Sequence, residues 1–288
     1  MRTSIALLIA LSLTLTLAAE TRAQKQDLRV RITGSGVARS DFDQTDGRVQ
    51  ETRAALEARY SLLKIGYEGR FFDWNETESI AFSRGETPWQ TLHRLTAGIT
   101  YGGRLTRDWN WFAGATGHSS FEEQLDDSYG GAFRLGGTYQ ASDNVSIDVG
   151  AGLFANAVEI KGLPLLSVNY DGLDQSGTGW TARLGTGGTF LSYRPMRNLG
   201  IVGQLDLEND TYRMADDSDV RPEGYVKIRH FVGSLFLEIE PTDNLSFTGG
   251  PQYHFGREYT FYNQDGDEQN TFDVDPAFGG LIEAKYKF

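Results

Sequence analysis

The feature that most constrains this chain is a period of two. In "LRVRIT", Leu28, Val30 and Ile32 fall on one face and Arg29, Arg31 and Thr33 on the other. The sorting recurs with Ala54, Leu56, Ala58 and Tyr60 against Arg53, Glu57 and Arg59, and with Leu95, Ala97, Ile99 and Tyr101 against Arg94, Thr96 and Thr100. It continues with Val145, Ile147, Val149 and Leu153 against Ser146 and Asp148, and with Leu205 and Leu207 against Gln204, Asp206 and Glu208. It ends with Ile282, Ala284, Tyr286 and Phe288 against Glu283, Lys285 and Lys287. Side chains alternate across a strand, so the chain is predicted to be all-β. Half-buried soluble sheets alternate too. Stretches of about ten residues, one after another, have the length that crosses a bilayer at a tilt.

The start of the chain fits an exported protein. Arg2, the run "SIALLIALSLTLTLAA" and the small residues at Ala19 and Ala23 have the layout of a signal peptide, taken as residues 1–23. Residues 24–288 then form one barrel domain, with no low-complexity tract or composition shift to divide them. No later run is long and apolar enough for a spanning helix, yet a barrel needs only every second residue to be apolar. The chain has no cysteine, which excludes disulfides and thiolate metal sites. Its net charge of −12 disfavours nucleic acid as a partner.

The connections alternate in length. Short polar turns at "TRD", "SDN", "MRN" and "TDN" alternate with longer stretches such as "NETESIAFSRGETPWQ", "FEEQLDDS", "ADDSDVRPEG" and "NQDGDEQNTFDVD". Asp and Asn favour tight turns through bonds to their own backbone. Short periplasmic turns with long extracellular loops are the asymmetry of a transmembrane antiparallel up-and-down β-barrel. Strands are predicted to start near residues 26, 48, 64, 90, 108, 129, 145, 178, 199, 224, 245 and 276. That makes about twelve strands, an even number, as expected with both termini in the periplasm. Counting 160–175 as a strand would break parity, so it is placed in an extracellular excursion, a hairpin extension or inward-folded loop. "GTGGT" (185–189) is read as a bend inside a strand.

The mature chain resembles bacterial outer-membrane β-barrels. "FFDWNET" (71–77), "LSYRP" (191–195) and "DTYRM" (210–214) resemble a family of uncharacterised barrels carrying a domain of unknown function. Trp74 and Tyr193 are placed at the membrane interface. The resemblance implies an outer-membrane location and architecture, and carries no functional residues.

Three sets of residues could carry chemistry. His118 and Ser120, two apart on one strand face, have the spacing of a base and nucleophile in outer-membrane lipid hydrolases. Their register turns them to the lumen, away from lipid, so the chain is read as a non-enzyme. The acidic loops, with Asp41, Asp43 and Asp46, or Asp265, Asp267 and Glu268, are read as solvated charge, and His93, His118, His230 and His254 lack zinc spacing. No metal and no cofactor is expected.

The lumen set says most. Arg29, Arg31, Arg59, Glu68, Arg70, Arg94, Arg134, Asp148, Arg183, Asp206, Glu208, Glu238 and Lys285 fall on polar registers. Basic residues crowd the first half and Asp206, Glu208 and Glu238 lie on later strands, so a basic arc faces an acidic one. Such charges either line a narrow selective pore or pair and plug it. The expected function is a passive channel for small solutes or ions. The alternatives are the His118/Ser120 hydrolase and a plugged structural or adhesive barrel. Expected partners are outer-membrane lipid, lipopolysaccharide and the barrel assembly machinery, which would read Phe288 and Tyr286 as its signal.

Overall fold

In a computed structural model the described residues are 28–43, 45–83 and 85–288. The signal-peptide reading of residues 1–23 lies outside them. The strands are β1 (Leu28–Asp41), β2 (Arg48–Tyr60), β3 (Leu63–Asn75), β4 (Thr91–Arg104), β5 (Trp109–Phe121), β6 (Tyr129–Gln140), β7 (Val145–Ala155) and β8 (Ile160–Leu173). They continue with β9 (Gly179–Gly185), β10 (Thr189–Met196), β11 (Leu199–Arg213), β12 (Tyr225–Thr242), β13 (Leu245–Tyr262), β14 (Glu268–Val274) and β15 (Ala277–Lys287). Among the described residues one 3-10 turn, Thr77–Ser79, interrupts the β pattern.

From β1 to β14 each strand pairs antiparallel with the next, and β15 pairs with β13 on one side and β1 on the other to close the ring. The long β13 pairs with β15 through its first part and with β14 through its last. β14 and β15 are therefore one strand broken at Asp275 and Pro276, where proline has no N–H for the ladder. The barrel has 14 strands. Arg29 faces Lys287 and Val30 faces Tyr286 at the seam, and the Phe288 N–H donates to the Leu28 carbonyl at 2.9 Å.

This corrects the expected strand number of about twelve. Residues 160–173 are the full-length wall strand β8, paired with β7 from Ile160 to Tyr170. Gly185 to Thr189 spans a turn between β9 and β10, where Gly185, Gly187 and Gly188 all take positive φ. Only a residue without Cβ adopts such geometry without strain. Two strands were missed, and the two omissions left the parity even.

One face of the ladder is an apolar outer belt that includes Ile32, Ile65, Ile99, Leu135, Val149, Leu205, Leu237 and Ile282, all exposed. Tyr170, Trp180, Tyr193 and Tyr286 lie on it toward the short turns, and the Trp180 and Tyr193 rings meet at a tilt with centroids 4.6 Å apart.

The opposite face holds the core. Toward the long loops, Phe72 and Trp74 of β3, Leu92 of β4, Tyr212 of β11, Val226 and Ile228 of β12, and Tyr259 and Phe261 of β13 point inward. Residues 76–83 and 85–90 fold down among them. Ile80 and Trp89 are buried, Phe82 packs against the cluster, and Trp74 Nε1 donates to the Trp89 carbonyl at 2.5 Å. Trp74 and Trp89 meet edge to face at 4.8 Å, the offset geometry that aromatic quadrupoles prefer. Trp74 is thus a core residue, not an interfacial one. The inward-folded loop is 76–90, not 160–175.

Candidate functional site in the barrel interior

Beneath the aromatic cluster lies a layer of buried charge. Arg70 of β3 is 1% exposed and meets Glu68 at 2.9 Å, Glu208 at 3.3 Å, Asp210 at 2.5 Å and Glu51 at 3.7 Å. Arg53 of β2 holds Glu208 through two hydrogen bonds of 3.0 and 2.5 Å, and Arg94 of β4 pairs with Asp210. β2, β3 and β4 are not neighbours of β11, so the bonds to Glu208 and Asp210 cross the interior. Each guanidinium fork matches carboxylate geometry and satisfies a charge that burial would otherwise penalise. His230 of β12 comes within 3.4 Å of Glu208, and His254 of β13 lies beside it with ring centroids 5.1 Å apart.

Toward the short turns the interior opens. A cavity of about 280 Å³ sits below the layer, lined by Arg31, Arg53, Glu57, Glu68, Glu208 and Glu283 among others. A wider mouth of about 480 Å³ follows, where Arg29, Arg31, Arg59, Lys64, Lys285 and Lys287 outnumber Glu57, Glu240 and Asp243.

The wall from β5 to β8 differs. Its inward positions hold Gly114, Gly130, Ala132, Gly136, Gly150 and Gly152. Gly136 and Gly150 face each other, and a Cβ on Gly150 would lie 2.4 Å from the Leu135 carbonyl oxygen. The pair makes a tight inward corner that no larger residue permits. At Gly152 a Cβ would meet nothing nearer than 3.6 Å. Polar contacts on this side are local. Asp148 accepts from Thr138 at 2.6 Å, Ser167 at 2.9 Å and Asn169 at 3.0 Å, while Arg183 reaches Ser167 at 3.2 Å and Arg134 reaches Thr100 at 3.5 Å.

The thirteen lumen candidates thus fall into separate groups. Glu68, Arg70, Arg94 and Glu208 share the ionic layer, and Arg29, Arg31, Arg59 and Lys285 share the basic mouth. Arg134, Asp148 and Arg183 lie on the glycine side. Asp206 accepts from the Gln204 amide at 2.6 Å, and Glu238 pairs with Arg194 at 2.9 Å. The opposed basic and acidic arcs meet at the centre through Arg53, Arg70 and Arg94, so charge there is neutralised. Glu51, Asp210, Arg194, His230 and His254 were missed. Glu51 and Asp210 continue the alternation of Arg53 and Glu208 and could have been found by extending it one step.

His118 and Ser120 are not hydrogen-bonded to each other. The His118 ring stacks on Phe154 at 6.0 Å, over the space that Gly130 leaves, and the buried Ser120 hydroxyl has no hydrogen-bond partner among the described residues.

No family model and no curated protein matches the chain. Solved structures do. The KdgM porin matches at 9% identity over 90% of this chain and 99% of its own, with a TM-score of 0.35. The NanC porin matches at 11% over 90% and 100%, with a TM-score of 0.41. The Pseudomonas putida toluene transporter TodX matches at 9% over 92% and 90%, with a TM-score of 0.35. Likenesses this distant assign neither a solute nor a residue, and the three motif stretches gain no family from them. In this fold 71–77 and 210–214 supply Phe72, Trp74, Tyr212 and Met214 to the aromatic cluster, whereas Leu191 and Tyr193 of 191–195 lie on the exposed outer face.

At the loop end the ring is pinched. Phe121 of β5 bridges Arg213 of β11, and the Glu122 N–H donates to the Arg213 carbonyl at 2.9 Å. The Glu122 carboxylate accepts from the Ala215 N–H at 2.9 Å. Burial pushes this carboxyl up to about 7, and Glu123, Asp217 and Asp219 add to the rise. A folded-state value above the ordinary one means docking is favoured at low pH and weakens as pH rises through about 7. The protection factor of the Ala215 amide is expected to fall across that range, and Glu122→Gln to flatten the dependence. An equal pH response in the variant would refute the assignment.

Proposed function

We propose that the protein is an outer-membrane barrel and a passive channel for small solutes, with the route along the glycine wall of β5–β8. The observation that carries this reading is the divided interior: one side is filled by aromatic and ionic packing, whereas six inward positions of β5–β8 hold only glycine or alanine, and a basic mouth opens toward the short turns. The apolar outer belt supports membrane residence, since so large an exposed apolar surface is otherwise a liability. The mouth would favour anions on entry from the periplasm. Among the sequence candidates, Arg134, Asp148 and Arg183 would line the route, and Arg29, Arg31, Arg59 and Lys285 its entrance.

Planar-bilayer conductance tests the route. Wild-type barrels are expected to give discrete steps, and Gly152→Trp, whose side chain has room to grow inward, to lower them by at least half. Unchanged steps in the variant would move the route elsewhere. Silence from folded wild-type protein would defeat the channel.

The closing strand supports a second assignment. Phe288 and Tyr286 contact edge to face at 4.7 Å on the exposed side of the seam. We assign them as the assembly signal, with lipopolysaccharide and the assembly machinery as partners outside the wall. Deleting Phe288 is expected to lower the amount of heat-modifiable barrel in membranes while surviving barrels conduct normally. Normal assembly of the truncated chain would refute this.

A further inference from the structure

The barrel wall is incomplete at one place. β8 pairs with β7 along Ile160 to Tyr170, but with β9 only from Ser167 to Leu173. β11 pairs with β12 along Leu199 to Arg213, but with β10 only from Leu199 to Leu205. The β9–β10 hairpin is half the height of its neighbours. Above its turn, 160–165 of β8 and 206–212 of β11 present edges without a ladder partner to each other. Three strand spacings separate β8 from β11 at the sill, which is about 14 Å. The gap closes at the top, where Asn156 Nδ2 donates to Thr211 Oγ1 at 3.2 Å and Lys227 pairs with Glu159 at 2.8 Å.

The edges are built to stay open. The Leu166 N–H donates to Thr186 Oγ1, and the Leu166 carbonyl accepts from the Thr186 N–H. Alternate residues point their backbone the same way, so Pro164 also faces the gap, and proline has no N–H there to leave unsatisfied. A proline on an edge also prevents another strand from pairing with it. The jambs are apolar on the outside, with Ile160, Leu166, Leu205 and Leu207 all exposed. Inside, Leu163 and Leu165 interrupt the polar register of β8 opposite Gly152 and Gly150, near Phe154. The gap lies on the loop side of the Tyr170, Trp180 and Tyr193 level. On the reading of the barrel as an outer-membrane channel, it would therefore face the outer leaflet.

We infer that this gap is a lateral window through which an uncharged apolar solute passes between the glycine-lined lumen and the outer leaflet. Charge sets the class. The β11 jamb carries Asp206, Glu208 and Asp210 on its inner side; the last two are neutralised by arginines, while Asp206 faces the sill with only the Gln204 amide described as its partner. An anionic head would be repelled there, and a neutral one would not.

The chain has no cysteine, so a single introduced thiol can carry a bulky maleimide. Leu166→Cys and Leu207→Cys place it on the outer face of opposite jambs, away from the axial route, and heat-modifiable mobility selects folded barrels of each. Two readouts are compared: uptake of the neutral fluorophore N-phenylnaphthylamine by cells with a lipopolysaccharide outer leaflet, and ion conductance in planar bilayers. The expected result is a several-fold loss of dye uptake on labelling either jamb, with conductance little changed. Dye uptake insensitive to the label, beside normal conductance, overturns the window and leaves the channel. Loss of both together also overturns it, because the dye then shares the axial route. Neither uptake nor conductance in unlabelled folded barrels overturns the channel reading and the window with it.

Discussion

Replacing residues 76–90 with a short turn is expected to raise single-channel conductance several-fold. The loop contributes Ile80, Phe82 and Trp89 to the cluster that fills the loop end of the barrel. The β3–β4 ladder, from Leu63 opposite Ile99 to Phe71 opposite Thr91, lies below it and does not need it. The wall should therefore close as before while its filling is lost. Burial of a large apolar side chain contributes about 1.5–3 kcal/mol, so losing Ile80 and Trp89 alone should lower the unfolding temperature measurably. Trp89→Ala is the graded control. It keeps the loop but leaves a cavity among Phe72, Trp74 and Tyr259, at a cost of about 3–5 kcal/mol. Its conductance should rise less than that of the deletion. If deletion leaves conductance unchanged in heat-modifiable barrels, the aromatic cluster is not the barrier, and the ionic layer beneath seals the centre alone.

That division of the interior was only partly legible in the sequence. Alternation identified which residues share a face because a closed sheet forces every second side chain inward or outward. It failed where the inner face is apolar. "FFDW" places Phe72 and Trp74 inside and Phe71 and Asp73 outside, so its one polar residue marks the outer face rather than the lumen. β8 was set aside because counting it alone would have broken the even strand number; the second missing strand, hidden by reading β9 and β10 as one, is what restores parity. The turn between β9 and β10 did leave a signal. Trp180 and Leu184 are outward on even numbers, whereas Leu191 and Tyr193 are outward on odd ones. The phase flips across Gly185 to Gly188, which a continuous strand cannot do without a bulge. The ionic layer was visible as residue types on the correct registers. Its pairing was not, because cross-barrel distance depends on strand number and stagger, neither of which one chain's pattern fixes.

The second large effect is expected from Arg70→Met, which should destabilise the barrel by about 3–5 kcal/mol, the usual cost of removing one partner of a buried ion pair. Arg70 touches Glu51, Glu68, Glu208 and Asp210, and its guanidinium also lies 5.6 Å from the Tyr212 ring centroid. Without it, Arg53 and Arg94 are left to balance four carboxylates. Arg70→Lys keeps the charge but loses the fork, which can meet β3 and β11 carboxylates at once, and should fall between wild type and Met. The loss is electrostatic rather than steric, so removing a charge opposite should offset it. Glu208→Gln is expected to recover part of the stability lost in Arg70→Met, although each change alone destabilises. A double-mutant cycle on denaturant unfolding of the reconstituted barrel measures that coupling. Additive losses would mean that Arg70 acts only by filling space, and that the bonds joining β3 to β11 do not brace the barrel. A strong coupling would make the ionic layer the cross-tie that holds the two walls at the spacing on which both the aromatic filling above and the basic mouth below depend.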